Sequence, residues 1–406
     1  MLRRFFLNVP LLIIVLLQFA WCNIAIAQPT YNGGNFKNVE RSDVDTTSDY
    51  QTYGVKDNLP VYYHNLAERL TFPLSWTSHN HSNFWEWKKL ARKKVMECLL
   101  YSPPSVPYSS VIISEKDRGS YIAQRVVLNI SADSRVLGYM LIPKGQGPFP
   151  AVLLLHDHGG YFSIGKEKMV CPFDESPERM NSSKKWVDDN YGGRYIGDEL
   201  AKRGYVCFTT DAINWSDRGG AGYEGQQALA GTMIHLGASF AGTIAYEDMR
   251  AAEFLAVQPN VDSARVAAIG LSMGAFRTWQ VAALSPYVKA GIAICWMSTV
   301  KGIMVPGNNA TQSQSAWSMT HPGLFNFLDY PDVASIACPK PMLFFNGLRD
   351  GLFPTPAVKA AYKKMHQVWS SQDADSNLVT KLWDERHLFN KKMQDEAFTW
   401  LDQLLK

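Results

Sequence analysis

Residues 265–276 read Arg-Val-Ala-Ala-Ile-Gly-Leu-Ser-Met-Gly-Ala-Phe, an apolar strand-like run that passes through Gly-x-Ser-x-Gly into a helix-like segment. Val266 to Ile269 read as a buried parallel strand, and Ala275 to Leu284 as a helix without proline. A serine hydroxyl is a poor nucleophile unless the fold lifts it onto a sharp strand-to-helix turn, where a base reaches one side and a substrate the other. Gly270 and Gly274 have no Cβ, so strand and helix can approach closely around a strained serine. Ser272 is therefore the candidate nucleophile. Gly237-Ala-Ser239-Phe-Ala241 offers another serine after a short apolar run, but Ala241 stands in place of the second glycine, and Ser239 reads as structural.

A nucleophile of this kind needs an acid after a later strand and a histidine near the C-terminus. Pro341 to Gly347 is strand-like, and Leu348-Arg-Asp350-Gly follows it directly, which puts Asp350 in the acid position. Leu378 to Trp383 alternates like a strand and leads into Asp384-Glu-Arg-His387, followed by an amphipathic helix from about Asn390 to Leu405. His387, the last histidine of the chain, is the candidate general base and acid, with Asp350 fixing its tautomer. Asp332 and Asp384 are fallback acids, Asp384 lying too near His387 for the usual layout.

Negative charge developing on a carbonyl oxygen needs backbone N–H donors. One expected donor is the amide of Met273. The other comes from His156-Asp-His-Gly-Gly160, which ends the strand-like run Pro150 to Leu155, with His158 first and Gly159 second as candidates. The same histidines two residues apart would suit a divalent metal, but no later His or carboxylate cluster completes such a site, so no metal or cofactor is expected.

From about Val126 to Lys406 the chain resembles the dienelactone hydrolase-like branch of the α/β-hydrolases, in particular its secreted acetyl-esterase-like members. The resemblance rests on His156-Asp-His-Gly-Gly160, Asp248-Met-Arg-Ala-Ala-Glu-Phe-Leu255, Gly270-Leu-Ser-Met-Gly274, Asn346-Gly-Leu-Arg-Asp350 and His387-Leu-Phe-Asn390. It implies an eight-stranded, mostly parallel sheet flanked by helices, a metal-free serine mechanism and ester substrates. Asp157 departs from the glycine often found in related esterases, and the nucleophile is serine where dienelactone hydrolase itself uses cysteine.

Residues 1–27 begin Met-Leu-Arg-Arg, run through the apolar Pro10 to Ala20 and end Ala-Ile-Ala27, the pattern of a secretory signal peptide; Leu11 to Ala20 is too short for a comfortable membrane span. Cys22 as a lipidation site is disfavoured by the bulky Trp21 before it. Losing Arg3 and Arg4 with the signal takes the formal net charge from +3 to +1, which offers no broad attraction to nucleic acid or anionic membrane. The expected organisation is a signal peptide over 1–27, a polar leader and N-terminal helical extension over 28–120, and a hydrolase domain over 121–406. Phe84, Trp87, Leu90, Ala91, Val95, Cys98 and Leu99 form one apolar helix face in the extension, with Arg92-Lys-Lys94 on its solvated side. Arg125 to Ile130 and Arg135 to Pro143 read as the opening hairpin. Cys207 and Cys295 fall in apolar runs as buried thiols, and a Cys171–Cys338 disulfide is left open.

Phe162 to Asn190 reads as a long polar insertion, and Ser298 to Tyr330 as an interruption between strands; such segments commonly carry binding residues. Trp215, Trp296, Trp317 and His321 are candidates to line the site, while Asp211 and Asp217-Arg218 read as structural pairs. The expected protein is a secreted or periplasmic serine carboxylic-ester hydrolase working through an acyl-enzyme. Its partner is an ester, acetyl, feruloyl or methyl, on an extracellular polysaccharide. Two alternatives are a serine peptidase of oligopeptidase type, against which stands the lack of a repeated-strand N-terminal domain, and a non-catalytic glycan-binding protein of the same fold.

Overall fold

The computed structural model describes residues 61–406, apart from His79, Ala221, Asn309 and residues 311–315. The expected signal peptide, Cys22 and most of the polar leader lie outside the described residues. Among the described residues nine strands form one sheet: β1 Val111–Asp117, β2 Tyr121–Asn129, β3 Arg135–Pro143, β4 Phe149–Leu155, β5 Val206–Thr210, β6 Val261–Leu271, β7 Ala290–Ile294, β8 Met342–Gly347 and β9 Leu378–Trp383. Their order is β1-β2-β3-β5-β4-β6-β7-β8-β9. β1, β2, β3 and β5 pair antiparallel in turn, and β5, β4, β6, β7, β8 and β9 run parallel.

Side chains along β4 alternate between two cores, Ala151, Leu153 and Leu155 entering one and Val152 and Leu154 the other. Both faces are therefore buried, which is why the parallel strands read as continuous apolar runs. The helices Phe84–Cys98, Phe240–Ala256, Met273–Leu284 and Thr355–Ser370 cover one face; Pro177–Tyr191, Ile196–Lys202 and Lys391–Leu405 cover the other.

The ninth strand, β1, was not expected. Its seven residues, Val-Ile-Ile-Ser-Glu-Lys-Asp, have no buried member and hence no alternation to read, and only hydrogen bonding to β2 defines it. The helix Phe84–Cys98 forms as its periodicity predicts, burying Phe84, Trp87, Ala91, Val95 and Cys98, although Leu90 faces outward. Burial of an aromatic such as Phe84 or Trp87 contributes about 2–3 kcal/mol. Arg92 is not simply solvated: its Nε and Nη2 donate to the Leu284 carbonyl at 3.0 and 2.7 Å, capping the C-terminus of Met273–Leu284.

The segment 162–190 also departs from a polar loop. It holds the buried turn Lys166–Lys168 and most of the helix Pro177–Tyr191. The Lys166 charge is met from within and beyond the segment, with Glu167, Asp211 and Asp217 oxygens 2.8, 2.9 and 2.7 Å from its ammonium. Arg218 pairs with Glu247, so Asp211, Asp217 and Arg218 are structural partners as expected. All five described cysteines are free thiols, including Cys171 and Cys338. No single helix among the described residues is long and apolar enough to cross a membrane.

Candidate active site

Ser272 sits between the end of β6 and the helix Met273–Leu284 with φ 57° and ψ −124°, a left-handed conformation that costs a non-glycine residue on the order of 1–3 kcal/mol. The turn is held by the Ser272 N–H, which donates to the Ile294 carbonyl at the end of β7, 2.8 Å away. Its glycines are dictated by space. A Cβ on Gly274 would stand 1.9 Å from the Leu155 carbonyl oxygen, and one on Gly270 would stand 2.3 Å from the Gly274 carbonyl carbon. Ser239 plays the structural part read for it, capping Phe240–Ala256 by accepting from Gly242 N and donating to Leu99 O.

The loops after β8 and β9 are joined before their side chains meet. Leu348 N donates to Trp383 O at 2.7 Å and Arg349 N to Glu385 O at 3.0 Å. A Cβ on Gly347 would lie 2.4 Å from the Glu385 carbonyl oxygen, so glycine is needed at this crossing. Across it, His387 Nδ1 lies 2.7 Å from Asp350 Oδ2. Asp350 is buried, and its other oxygen accepts from Leu352 N at 3.0 Å. This leaves His387 Nε2 as the ring nitrogen free of the acid. Asp332 is taken by Ser75 Oγ and Lys364, and Asp384 by Arg349, so neither fallback acid meets His387.

Ser272 and His387 line one cavity of about 660 Å³ together with His158, Gly159 and Gly160. The loop of His158 and its glycines is anchored from behind. Lys168 Nζ donates to the carbonyls of Asp157 and His158 at 3.1 and 3.0 Å. In a trans peptide the next N–H points opposite its C=O, so the amides of His158 and Gly159 are turned away from Lys168. Asp157 completes the anchor: its carboxylate accepts from Lys168, from Trp186 Nε1 at 3.1 Å and from the Tyr191 hydroxyl at 2.7 Å. The acid that departs from the related glycine thus has a built site. Gly159, at φ +58°, is packed so that a Cβ would fall 2.3 Å from the Trp186 ring. Met273 is the first residue of its helix, where N–H groups have no intrahelical acceptor.

Both loop histidines are neutral and fully engaged. His156 Nε2 accepts from Ala212 N at 3.0 Å, so its Nδ1–H donates to Asp157 O at 2.9 Å. His158 Nδ1 accepts from Gly160 N at 3.2 Å, leaving Nε2–H for Gln226 Oε1 at 2.8 Å. Burial, with Arg277 and Lys168 nearby, holds His156 well below its ordinary range, and burial brings His158 down to about 4. Neither ring keeps a lone pair for a metal ion. Burial likewise lowers the Lys168 ammonium, opposed by Asp157.

Of the four aromatic and histidine candidates for the pocket wall, Trp296 lines the cavity. Trp215 is buried behind the loop, where its Nε1 donates to His158 O at 3.2 Å. His321 is buried and pairs with Gln280, burial lowering it to about 4, and Trp317 packs against the core; neither is among the residues lining the cavity. Sequence reasoning missed Lys168, whose place in a charged Lys-Glu-Lys run gave no sign of burial. It also missed the wall formed by Tyr63, Leu66, Ala67 and Leu70, from and just after the helix Val61–Glu68. Arg277 was signalled only through its partner: it pairs with Asp248 at 2.9 and 2.7 Å, a residue of one quoted motif, and donates to His156 O at 3.2 Å. The helix Met273–Leu284 is thereby tied to the loop opposite.

The comparisons agree with this architecture. YtaP of Bacillus subtilis (strain 168), a protein described as a hydrolase, is 24% identical over 284 residues, which cover 70% of this chain and 88% of that protein. A Bacteroides fragilis NCTC 9343 protein described as an acetyl xylan esterase superposes with TM-score 0.63 at 16% identity, covering 83% of each chain. The glucuronoyl esterase of Solibacter usitatus superposes with TM-score 0.58 at 12% identity, over 81% of this chain and 96% of its own. The model of the Abhydrolase family matches residues 35–374. With its strand order, its Gly-x-Ser-x-Gly turn and a family match over most of its length, the chain belongs to the Abhydrolase family and is an α/β-hydrolase.

Proposed function

We propose that this hydrolase is an exported serine esterase that cleaves carboxylic esters through an acyl-enzyme, with Ser272 as nucleophile, His387 as general base and acid, and Asp350 as its orienting carboxylate. Ser272 Oγ attacks the ester carbonyl while His387 Nε2 takes its proton. The amides of Met273 and of His158 or Gly159 receive the carbonyl oxygen as it becomes an oxyanion. Collapse breaks the bond to the alkoxy oxygen, which leaves with the proton from His387. Water, deprotonated by His387, then attacks the acyl-enzyme, releasing the acid and returning the proton to Ser272.

The observation that carries this reading is the 2.7 Å Asp350–His387 contact in the cavity that Ser272 also lines. Likeness of fold to an acetyl xylan esterase and a glucuronoyl esterase supports an ester borne by a polysaccharide, and the signal-like residues 1–27 support action outside the cytoplasm. The test is initial-rate hydrolysis of simple esters by the wild type and by Ser272→Ala, with a chelator in parallel. Chelator-resistant turnover that disappears in Ser272→Ala is expected; turnover that survives the substitution rejects the assignment.

A further inference from the structure

The cavity beside Ser272 has a composition that constrains the substrate further. Among the described residues, no Asp, Glu, Lys or Arg lines it. Its walls are apolar, with Leu66 and Leu70 on one side and Trp296, Ile303, Met319 and Phe325 on others. Beside Tyr63 and Tyr223, several of its polar groups are committed within the protein. Asn308 donates to Leu352 O at 2.9 Å and accepts from Ala310 N at 2.8 Å, Thr320 pairs with Tyr330, and His158 is held by Gln226 and Gly160. A volume of about 660 Å³ also greatly exceeds an acetyl group and falls in the range of sites that enclose whole small ligands.

Resting on the serine-esterase reading, we infer that the substrate ester carries an uncharged apolar group, alkyl or aryl, of about six carbons or more, and that this cavity encloses it. A sugar ring would find few free hydrogen-bonding partners on these walls, and a charged sugar acid no counter-ion. A polysaccharide attached to the ester therefore extends out of the cavity, with the apolar group inside. Each methylene that moves from water into such a site raises kcat/KM about fourfold, so four extra methylenes supply about two-hundredfold.

The experiment compares ethyl acetate with two pairs of esters by pH-stat, using the wild type with Ser272→Ala as background. Ethyl hexanoate and ethyl cinnamate place the apolar group on the acid, and hexyl acetate and benzyl acetate place it on the alcohol. Expected is kcat/KM at least tenfold above ethyl acetate for one pair, and the pair that responds tells which half of the ester the cavity holds. Less than a tenfold gain in both pairs, with Ser272-dependent turnover of ethyl acetate, overturns this inference and leaves the esterase reading intact. No Ser272-dependent turnover of any of the five esters overturns the esterase reading and this inference with it.

Discussion

The Lys168 ammonium lies 3.0 Å from the carbonyl oxygen of His158 and holds that peptide so that its N–H side faces away from the buried charge. A lysine with no exposed surface thus sets the direction of backbone groups it does not share a strand or helix with. The arrangement ties a loop of one histidine and two glycines to a buried charge behind it, beside the cavity that Ser272 lines.

Lys168→Met retains the side-chain length and removes the donor. If the loop amides serve the transition state, kcat falls by about 10- to 100-fold while KM changes little, because the oxyanion exists only after attack. Stability also drops, by about 3–5 kcal/mol, since Asp157 loses its cation. Rates are therefore read well below the unfolding temperature found by calorimetry. A KM effect with unchanged kcat would contradict the positioning role.

Gly274→Ala puts a methyl group 1.9 Å from the Leu155 carbonyl oxygen, backbone against backbone, with no flexible side chain to yield. The expected outcome is a loss of at least about 2–3 kcal/mol in denaturant unfolding, with activity lost as Ser272 moves. Wild-type stability and turnover would contradict this close approach of the β4 end to the helix Met273–Leu284.

Asp350→Asn leaves shape but removes the charge that holds His387 Nδ1–H. If Asp350 orients His387 as proposed, kcat should fall about 10⁴-fold, as in serine triads. Asp384→Asn, at an exposed residue paired with Arg349, should leave kcat within twofold. Reversal of these two results in steady-state kinetics would move the acid role away from Asp350.

His158 gives a pH prediction. Its folded-state pKa, near 4 through burial, lies below the ordinary histidine value of 6.5. Between those values the unfolded chain binds a proton that the folded chain refuses, so stability rises with pH there. The contribution is complete above about pH 6.5 and is lost as pH falls toward 4, by about 3 kcal/mol. His158→Gln, which keeps a donor and an acceptor but does not titrate, should close the gap with wild type on acidification. Parallel unfolding curves for the two proteins from pH 7 to 4 would contradict a buried neutral His158.

The positions of Ser272 and Asp350 stood out because β6 ends and β8 runs as continuous buried apolar residues before them, a strong contrast in sequence, whereas His387 follows the half-buried, alternating β9. The N-cap of Lys391–Leu405 at Asn390 and the β2–β3 hairpin were legible for local reasons, periodicity and turn residues. β1 was not, since an edge strand with no buried side chain carries no alternation. The burial of Lys166 and Lys168, inside a run read only as a polar insertion, was not legible because their counter-charges at Asp157, Asp211 and Asp217 lie outside that run. Distance along the chain hid the cavity wall near Leu66, and it separated Trp296, which reaches the cavity, from Trp317, which does not.

The most direct test of the central claim is reaction of the wild type with a fluorophosphonate, followed by intact-mass and peptide mapping. The expected result is one adduct per chain, on Ser272, appearing in step with loss of ester turnover and absent from Ser272→Ala. Full turnover after stoichiometric labelling, or an adduct on another serine with Ser272 unmodified, would contradict it.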